Sequence, residues 1–131
     1  MPTEASLTHD LGEAIKKRLN GAIVIKHADR FNAGIPDMSV TWMRVTSWWE
    51  VKYSRDGKFK SPAIQSTMCR KLARHGYCFY IVYASVDGED TVSIVRPELL
   101  SKWRNVRMPG FNHEWVARKI QMLHEGFKGV S

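Results

Sequence analysis

Residues 77–85 read YCFYIVYAS, a nearly continuous apolar run. Side chains alternate between the two faces of a strand, so an apolar residue at almost every position marks a strand buried on both faces. Such a strand needs a sheet around it and helices on both sides of that sheet. The rest of the chain supplies them. Leu7, Leu11, Ile15 and Leu19 recur every four residues, with Ala14 beside them, which predicts a helix over 3–20. Lys16, Lys17 and Arg18 suit its C-terminal dipole, and Asn20-Gly21 is a stop signal. Ser61-Pro62 gives the cap and first position of a second helix. Ile64, Met68 and Leu72 continue it toward His75-Gly76.

Between and after these come the other strands. AIVIK (22–26) is short and apolar, and residues 37–45 and 47–54 form a hairpin. Arg55-Asp56-Gly57-Lys58 is a turn by composition, and Asp87-Gly88 turns the 77–85 strand into TVSIVR (91–96). Beyond Pro97 lie a short helix with Leu99, Leu100 and Trp103, the loop NVRMPGF, and a last amphipathic helix from Asn112. That helix carries Val116, Ile120, Leu123 and Phe127 as its apolar stripe. The expected order is α-β-β-β-α-β, then β-α-α. It describes an α/β chain with a mixed central sheet flanked by helices. The 131 residues fit a single domain, with a core over about 4–96 and a C-terminal helical appendix over about 97–131.

The charge balance narrows the function. A net charge of +7 and a pI near 9.7 favour a polyanionic partner, nucleic acid first. No stretch approaches the roughly 20 apolar residues of a membrane span, and the N-terminus lacks a signal peptide's order, so a cytoplasmic protein is expected. Cys69 and Cys78 do not form a CxxC pair; both read as reduced core residues, and their spacing to His75 is poor for zinc.

The chemistry concentrates in residues 34–65, GIPDMSVTWMRVTSWWEVKYSRDGKFKSPAIQ. Asp37 follows a Gly-x-Pro turn, while Glu50 and Lys52 sit two apart in the second strand of the hairpin and so share a face. The hairpin lays Asp37 beside Glu50. Two carboxylates and an ammonium at one point can hold a hard cation next to a phosphate. Asp37, Glu50 and the Val51 carbonyl would be the oxygen ligands of Mg²⁺ or Mn²⁺, and Lys52 would orient water or stabilise developing charge. An exposed Glu50–Lys52 salt bridge would explain those two residues alone, but it leaves Asp37 after Gly-x-Pro without a reason.

These elements resemble the PD-(D/E)XK nuclease superfamily, and within it the virus-type replication-repair (VRR-NUC) nucleases and small phage or bacterial resolvase-like enzymes. The matching pieces are Glu4 on the first helix, Lys26 ending a strand, Gly34 to Asp37, Glu50-Val51-Lys52, and Ser61 to Gln65. The resemblance covers residues 4 to about 85. It implies a restriction-endonuclease-like fold and a metal-dependent endodeoxyribonuclease of the kind that cuts branched DNA such as a Holliday junction. Glu4, Asp37, Glu50, Lys52 and Gln65 would then be its catalytic set.

Two glutamates compete on the first helix. Glu4 shares the apolar-facing side with Leu7 and Leu11, whereas Glu13 fits that face worse. Glu4 also suits a first-turn dipole role without any chemistry. Gln65 reads either as a site residue or as a surface glutamine. Lys26 and His27 end a strand where they would hold phosphate or simply be solvated. Arg30, Arg44, Arg55, Lys58 and Lys60 fall in loops around the hairpin as candidate DNA-backbone contacts, and Arg70, Lys71 and Arg74 read as the outer face of the second helix. Trp48 and Trp49 straddle the strand, so at least one belongs to the core. The competing functions are a nucleic-acid-binding module that no longer cuts and a restriction-type enzyme. A symmetric homodimer is expected on a branched substrate, because two cuts need two sites, and the C-terminal stripe either mediates it or packs on the sheet.

Overall fold

The computed structural model of the chain describes residues 2–27, 35–59 and 69–128. Helix α1 spans Glu4–Arg18, capped by Thr3, whose hydroxyl accepts from the Ser6 amide while the Ser6 side chain accepts from the Thr3 amide. Strands β1 (Ile23–Lys26), β2 (Met38–Trp42), β3 (Val45–Ser54), β4 (Cys78–Val86), β5 (Glu89–Val95) and β6 (Met108–Pro109) form one six-stranded sheet in chain order. Helix α2 is described over 69–73, a 3₁₀ segment runs over Pro97–Val106, and α3 spans His113–Lys128. Strands β3 and β4 run parallel, and the other neighbours pair antiparallel. This is the mixed α/β architecture expected of a restriction-endonuclease-like core. No helix among the described residues is long and apolar enough to cross a membrane.

The run at 77–85 does what its composition requires. Ile81 and Tyr83 face α1 and α3, while Tyr80, Val82 and Ala84 face the opposite layer, and all five are at most 1 % exposed. The α1 stripe Leu7, Leu11, Ile15 and Leu19 is fully spent against this sheet and against Val116, Ala117 and Ile120 of α3. Val116, Ile120 and Leu123 of the C-terminal stripe therefore pack inward on α1 and the sheet and are not a dimer surface; the Phe127 side chain lies outside the described residues. Truncating one of these leucines to alanine would cost about 2–5 kcal/mol. The second layer, Cys69, Cys78, Val95 and Trp103 with Leu72 and Leu100, closes the other face. Both cysteines are buried free thiols.

Three local features differ from the sequence expectation. The hairpin turns at Met43-Arg44, two residues with φ of 54° and 68°, so β3 begins at Val45. Left-handed residues at both turn positions match the strand twist, but neither Met nor Arg signals it as Asn-Gly would. The segment after Pro97 is 3₁₀ rather than α-helical, with Lys102 breaking it. The loop NVRMPGF contains a two-residue strand, β6, against β5.

Buried His124 of α3 fastens this layer to the hairpin. Its Nε2 lies 2.8 Å from the Ser47 hydroxyl and its Nδ1 lies 3.0 Å from the Trp42 carbonyl. The Ser47 hydroxyl also accepts from the Trp49 indole at 2.7 Å. Burial lowers the His124 pKa, and burial shifts His113 the same way. A histidine lowered on folding leaves the unfolded chain with more bound protons, so stability is present above the ordinary value near 6.5 and is lost as pH falls through it. Thermal melts should show this acid-side loss, and His124→Gln should reduce it while costing about 1–3 kcal/mol at neutral pH. A variant with an unchanged acid limb would refute the assignment to His124.

Candidate active site

Strand β3 outlasts β2, and the site forms where β2 stops. The last β2–β3 pair is Met38 with Trp49, and the same register places Asp37 opposite Glu50. Beyond that point the β2-side edge of β3 is taken by carboxylates instead of a strand. The Val51 amide donates to Asp37 Oδ2 at 2.8 Å, and the Tyr53 amide donates to Glu4 Oε1 at 3.1 Å. A residue's N–H and C=O point to the same side of its strand, so the Val51 carbonyl opens on the edge that Asp37 occupies. Chain geometry therefore brings Asp37, Glu50, Val51 and Glu4 together.

Glu50 and Lys52 project from the face away from α1, and both are buried, at 1 % and 7 % exposure. An exposed surface salt bridge is therefore excluded for them. Burial is the main cause that pushes the Glu50 carboxyl from 4.5 up to about 10. Its hydrogen bond with Asp37 and the Asp37 charge raise it further, against a lowering by Lys52. The Cys69 thiol approaches Glu50 Oε2 at 4.0 Å. Its hydrogen bond with Cys78 lowers the Cys69 pKa and raises that of Cys78. Cys69 is a neighbour that the sequence reading left in the core. Its place three residues before Leu72 on the second helix marks it as sheet-facing, but not as facing a carboxylate.

Glu4 departs from expectation in one respect. It is exposed rather than on the buried side, because as the first residue of α1 it leaves the apolar stripe and reaches the β3 edge. Glu13 is exposed and lies 3.6 Å from the Lys16 ammonium. Lys26 Nζ sits 3.1 Å from the His9 ring, over α1. His27 stacks on Trp48 at 5.1 Å and bonds the Ser39 hydroxyl at 2.8 Å, while its amide donates to the Asp37 carbonyl at 2.7 Å. His27 thus stands next to the carboxylates and helps hold the Asp37 backbone. Trp49 is the core tryptophan, stacked on Phe79.

The basic loop residues separate. Arg55 and Lys58 lie in the turn just past β3, where Asp56 accepts from the Lys58 amide at 2.9 Å and from the Ser54 hydroxyl at 2.9 Å. Those bonds lower the Asp56 pKa, the Lys58 amide contributing most. Arg44 sits at the hairpin tip, six residues or about 20 Å of extended chain from its nearest site neighbour, Glu50. Arg30, Gly34, Lys60 and the Ser61 to Gln65 segment lie outside the described residues, as do Ile64 and Met68.

Among the described residues, no group of three or more His, Cys, Asp or Glu side chains could hold an ion by itself. Magnesium asks for less. It binds through one or two carboxylates, keeps several waters, and takes further oxygens from a substrate phosphate. Two carboxyls that share a hydrogen bond, one held neutral by burial and by its neighbour, are a donor set that a divalent cation would let ionise together. The residues fit the ion.

No protein-family model matches the chain, and none of the curated proteins does. Among solved structures it is similar to Hjc, a Holliday junction resolvase from the archaeal hyperthermophile Archaeoglobus fulgidus. The match is 17% identical, covers 73% of this chain and 75% of that one, and has a TM-score of 0.48. A likeness of that extent transfers no residue roles; those rest on the side chains just described.

Proposed function

We propose that the chain is a divalent-metal-dependent endodeoxyribonuclease that hydrolyses phosphodiester bonds in DNA. The observation that carries this is the Asp37–Glu50 pair, sharing a hydrogen bond at the open edge of β3 with Lys52 on the same face as Glu50. A lone structural salt bridge needs neither the second carboxylate nor its burial. Bound Mg²⁺ or Mn²⁺ would supply Lewis-acid polarisation of the phosphate and a more acidic water. Asp37, Glu50 and the Val51 carbonyl would hold it. The Val51 amide of β3 fixes Asp37, which stands just ahead of β2, in place. The Lys52 ammonium stands to neutralise charge on the phosphate oxygens as it develops. Glu4, held by the Tyr53 amide, would orient water from the helix side. His27, Arg55 and Lys58 would position the backbone, and the net charge of +7 would draw it in.

The motif resemblance extends the proposal to branched DNA cut by a symmetric pair of chains. A face open to a second copy is the edge strand β1, where Ile23 and Ile25 are 58% and 48% exposed. Light scattering at working concentration reads that state.

The deciding assay incubates linear, nicked and four-way DNA with the protein, with and without Mg²⁺ or Mn²⁺. Metal-dependent cutting, strongest on the four-way substrate, is expected. Full activity in chelator would end the metal reading, and a preference for linear duplex would end the resolvase reading alone. In the same assay Glu4→Gln should lower turnover about tenfold or more, while Glu13→Gln should leave it unchanged. A dead Glu13 variant would reverse that assignment.

A further inference from the structure

The C-terminal appendix builds a second feature on the far flank of α2. A groove of about 410 Å³ lies between α2 and the 3₁₀ segment, lined by Gly57, Phe59, Arg70, Glu98, Ser101 and Trp103 among others. A neighbouring cavity of about 460 Å³ shares Arg70 and Glu98 and continues along α2 to Arg74. Gly57 in the groove wall belongs to the turn that directly follows β3, where Arg55 and Lys58 are exposed.

The groove is built rather than incidental. Phe59 meets Trp103 edge to face at 5.5 Å and 82°, and half-buried Phe59 lines the groove. The Arg104 guanidinium lies 5.2 Å from the Trp103 ring centre and packs against Gly57. A Cβ at residue 57 would collide with it, and φ of +79° independently favours glycine there. Cys69 of α2 approaches Glu50, and the next residue, Arg70, about 100° further round the helix, lines the groove, so the candidate active site and the groove adjoin the same turn of α2.

We propose that this groove binds unpaired nucleotides of the strand being cut, close to the scissile phosphate. The proposal rests on the nuclease reading and names the substrate feature its site selects. A cleft of this size between two walls accommodates a base but not a duplex. Phe59 offers the sequence-tolerant stacking surface that single-strand sites use, and Arg70 and Arg74 offer phosphate partners. Glu98 and Ser101 complement this, since a carboxylate accepts from the exocyclic amines of bases.

The test uses the full chain in chelator, so that nothing is cut, and fluorescence anisotropy with a blunt duplex and the same duplex carrying a four-nucleotide single-stranded tail. The tail should tighten binding about tenfold or more in the parent protein. Phe59→Leu, which keeps apolar bulk, and Arg70→Gln, which lies on the surface, should each remove most of that gain and leave blunt-duplex affinity unchanged. Arg44→Gln at the hairpin tip should keep the gain. Equal affinity for both DNAs in the parent, or a tail preference that survives both variants, overturns the groove. Parallel metal-dependent cleavage by the parent separates the two readings. Cutting without a tail preference sinks only the groove, whereas a Phe59- and Arg70-dependent preference without cutting upholds the groove and sinks the nuclease.

Discussion

Asp37→Ala, Glu50→Ala and Lys52→Ala should each lower metal-dependent DNA cleavage by about 10²–10³-fold or more. The first two remove oxygens from the proposed ion site, and Asp37 is the carboxylate fixed there by the Val51 amide. The third removes a positive charge from a position where β3 buries it beside Glu50. Residues that act as one unit lose activity together, so the Asp37→Ala, Lys52→Ala double variant should be scarcely worse than either single one. DNA binding separates the roles. Lys52→Ala should retain affinity within a few-fold, because most binding energy comes from the basic surface. Turnover and anisotropy measured on the same preparations check this, with thermal melts confirming folded protein. A Lys52 variant that cuts normally would remove it from the chemistry, and three active variants would leave the nuclease proposal without its site.

Strand periodicity is strict, so the shared face of Glu50 and Lys52 and the two-sided burial of 77–85 were readable. The hairpin register was not: a turn at residue 46 would set Asp37 opposite Arg55, and it is the turn at Met43-Arg44 that sets it opposite Glu50. Glu4 shows the limit of periodicity. Helical phase pointed it at the core, but at the first turn there is no sheet to cover it, and its partner is a backbone amide that no pattern encodes. The α3 stripe had two equivalent solutions, dimerisation or packing on α1, and only the three-dimensional path of the chain chooses between them. Cys69 beside Glu50 and Phe59 against Trp103 depend on the seating of α2 and the 3₁₀ segment on the sheet, a long-range matter invisible in local spacing.

The second large effect concerns stability without metal. Glu50 has its pKa raised to about 10, first by burial and then by Asp37. A carboxyl raised on folding keeps its proton in the folded chain while the unfolded chain has released it. Stability is therefore fully present below the ordinary value near 4.5 and is lost as pH rises toward 10. One proton of difference sets an upper slope of about 1.4 kcal/mol per pH unit, so the melting temperature in chelator should fall by a few degrees per unit between about pH 6 and 9. Glu50→Gln keeps the shape and a hydrogen-bonding amide but cannot ionise, so its melting curve should be nearly flat over that range and should lie above the parent's at the alkaline end. Lowered His124 works in the opposite direction, withdrawing stability on the acid side, so metal-free protein should be most stable in a narrow window near neutrality. Excess Mg²⁺ should lift the alkaline limb of the parent by binding the ionised pair, and should do little for Glu50→Gln. Such a site stores a cost in stability that its ligand relieves, as functional sites commonly do. Melts of the parent and the variant across pH, with and without Mg²⁺, decide the matter: a flat parent curve, or equal slopes in the two proteins, would show that Glu50 is not the group that titrates.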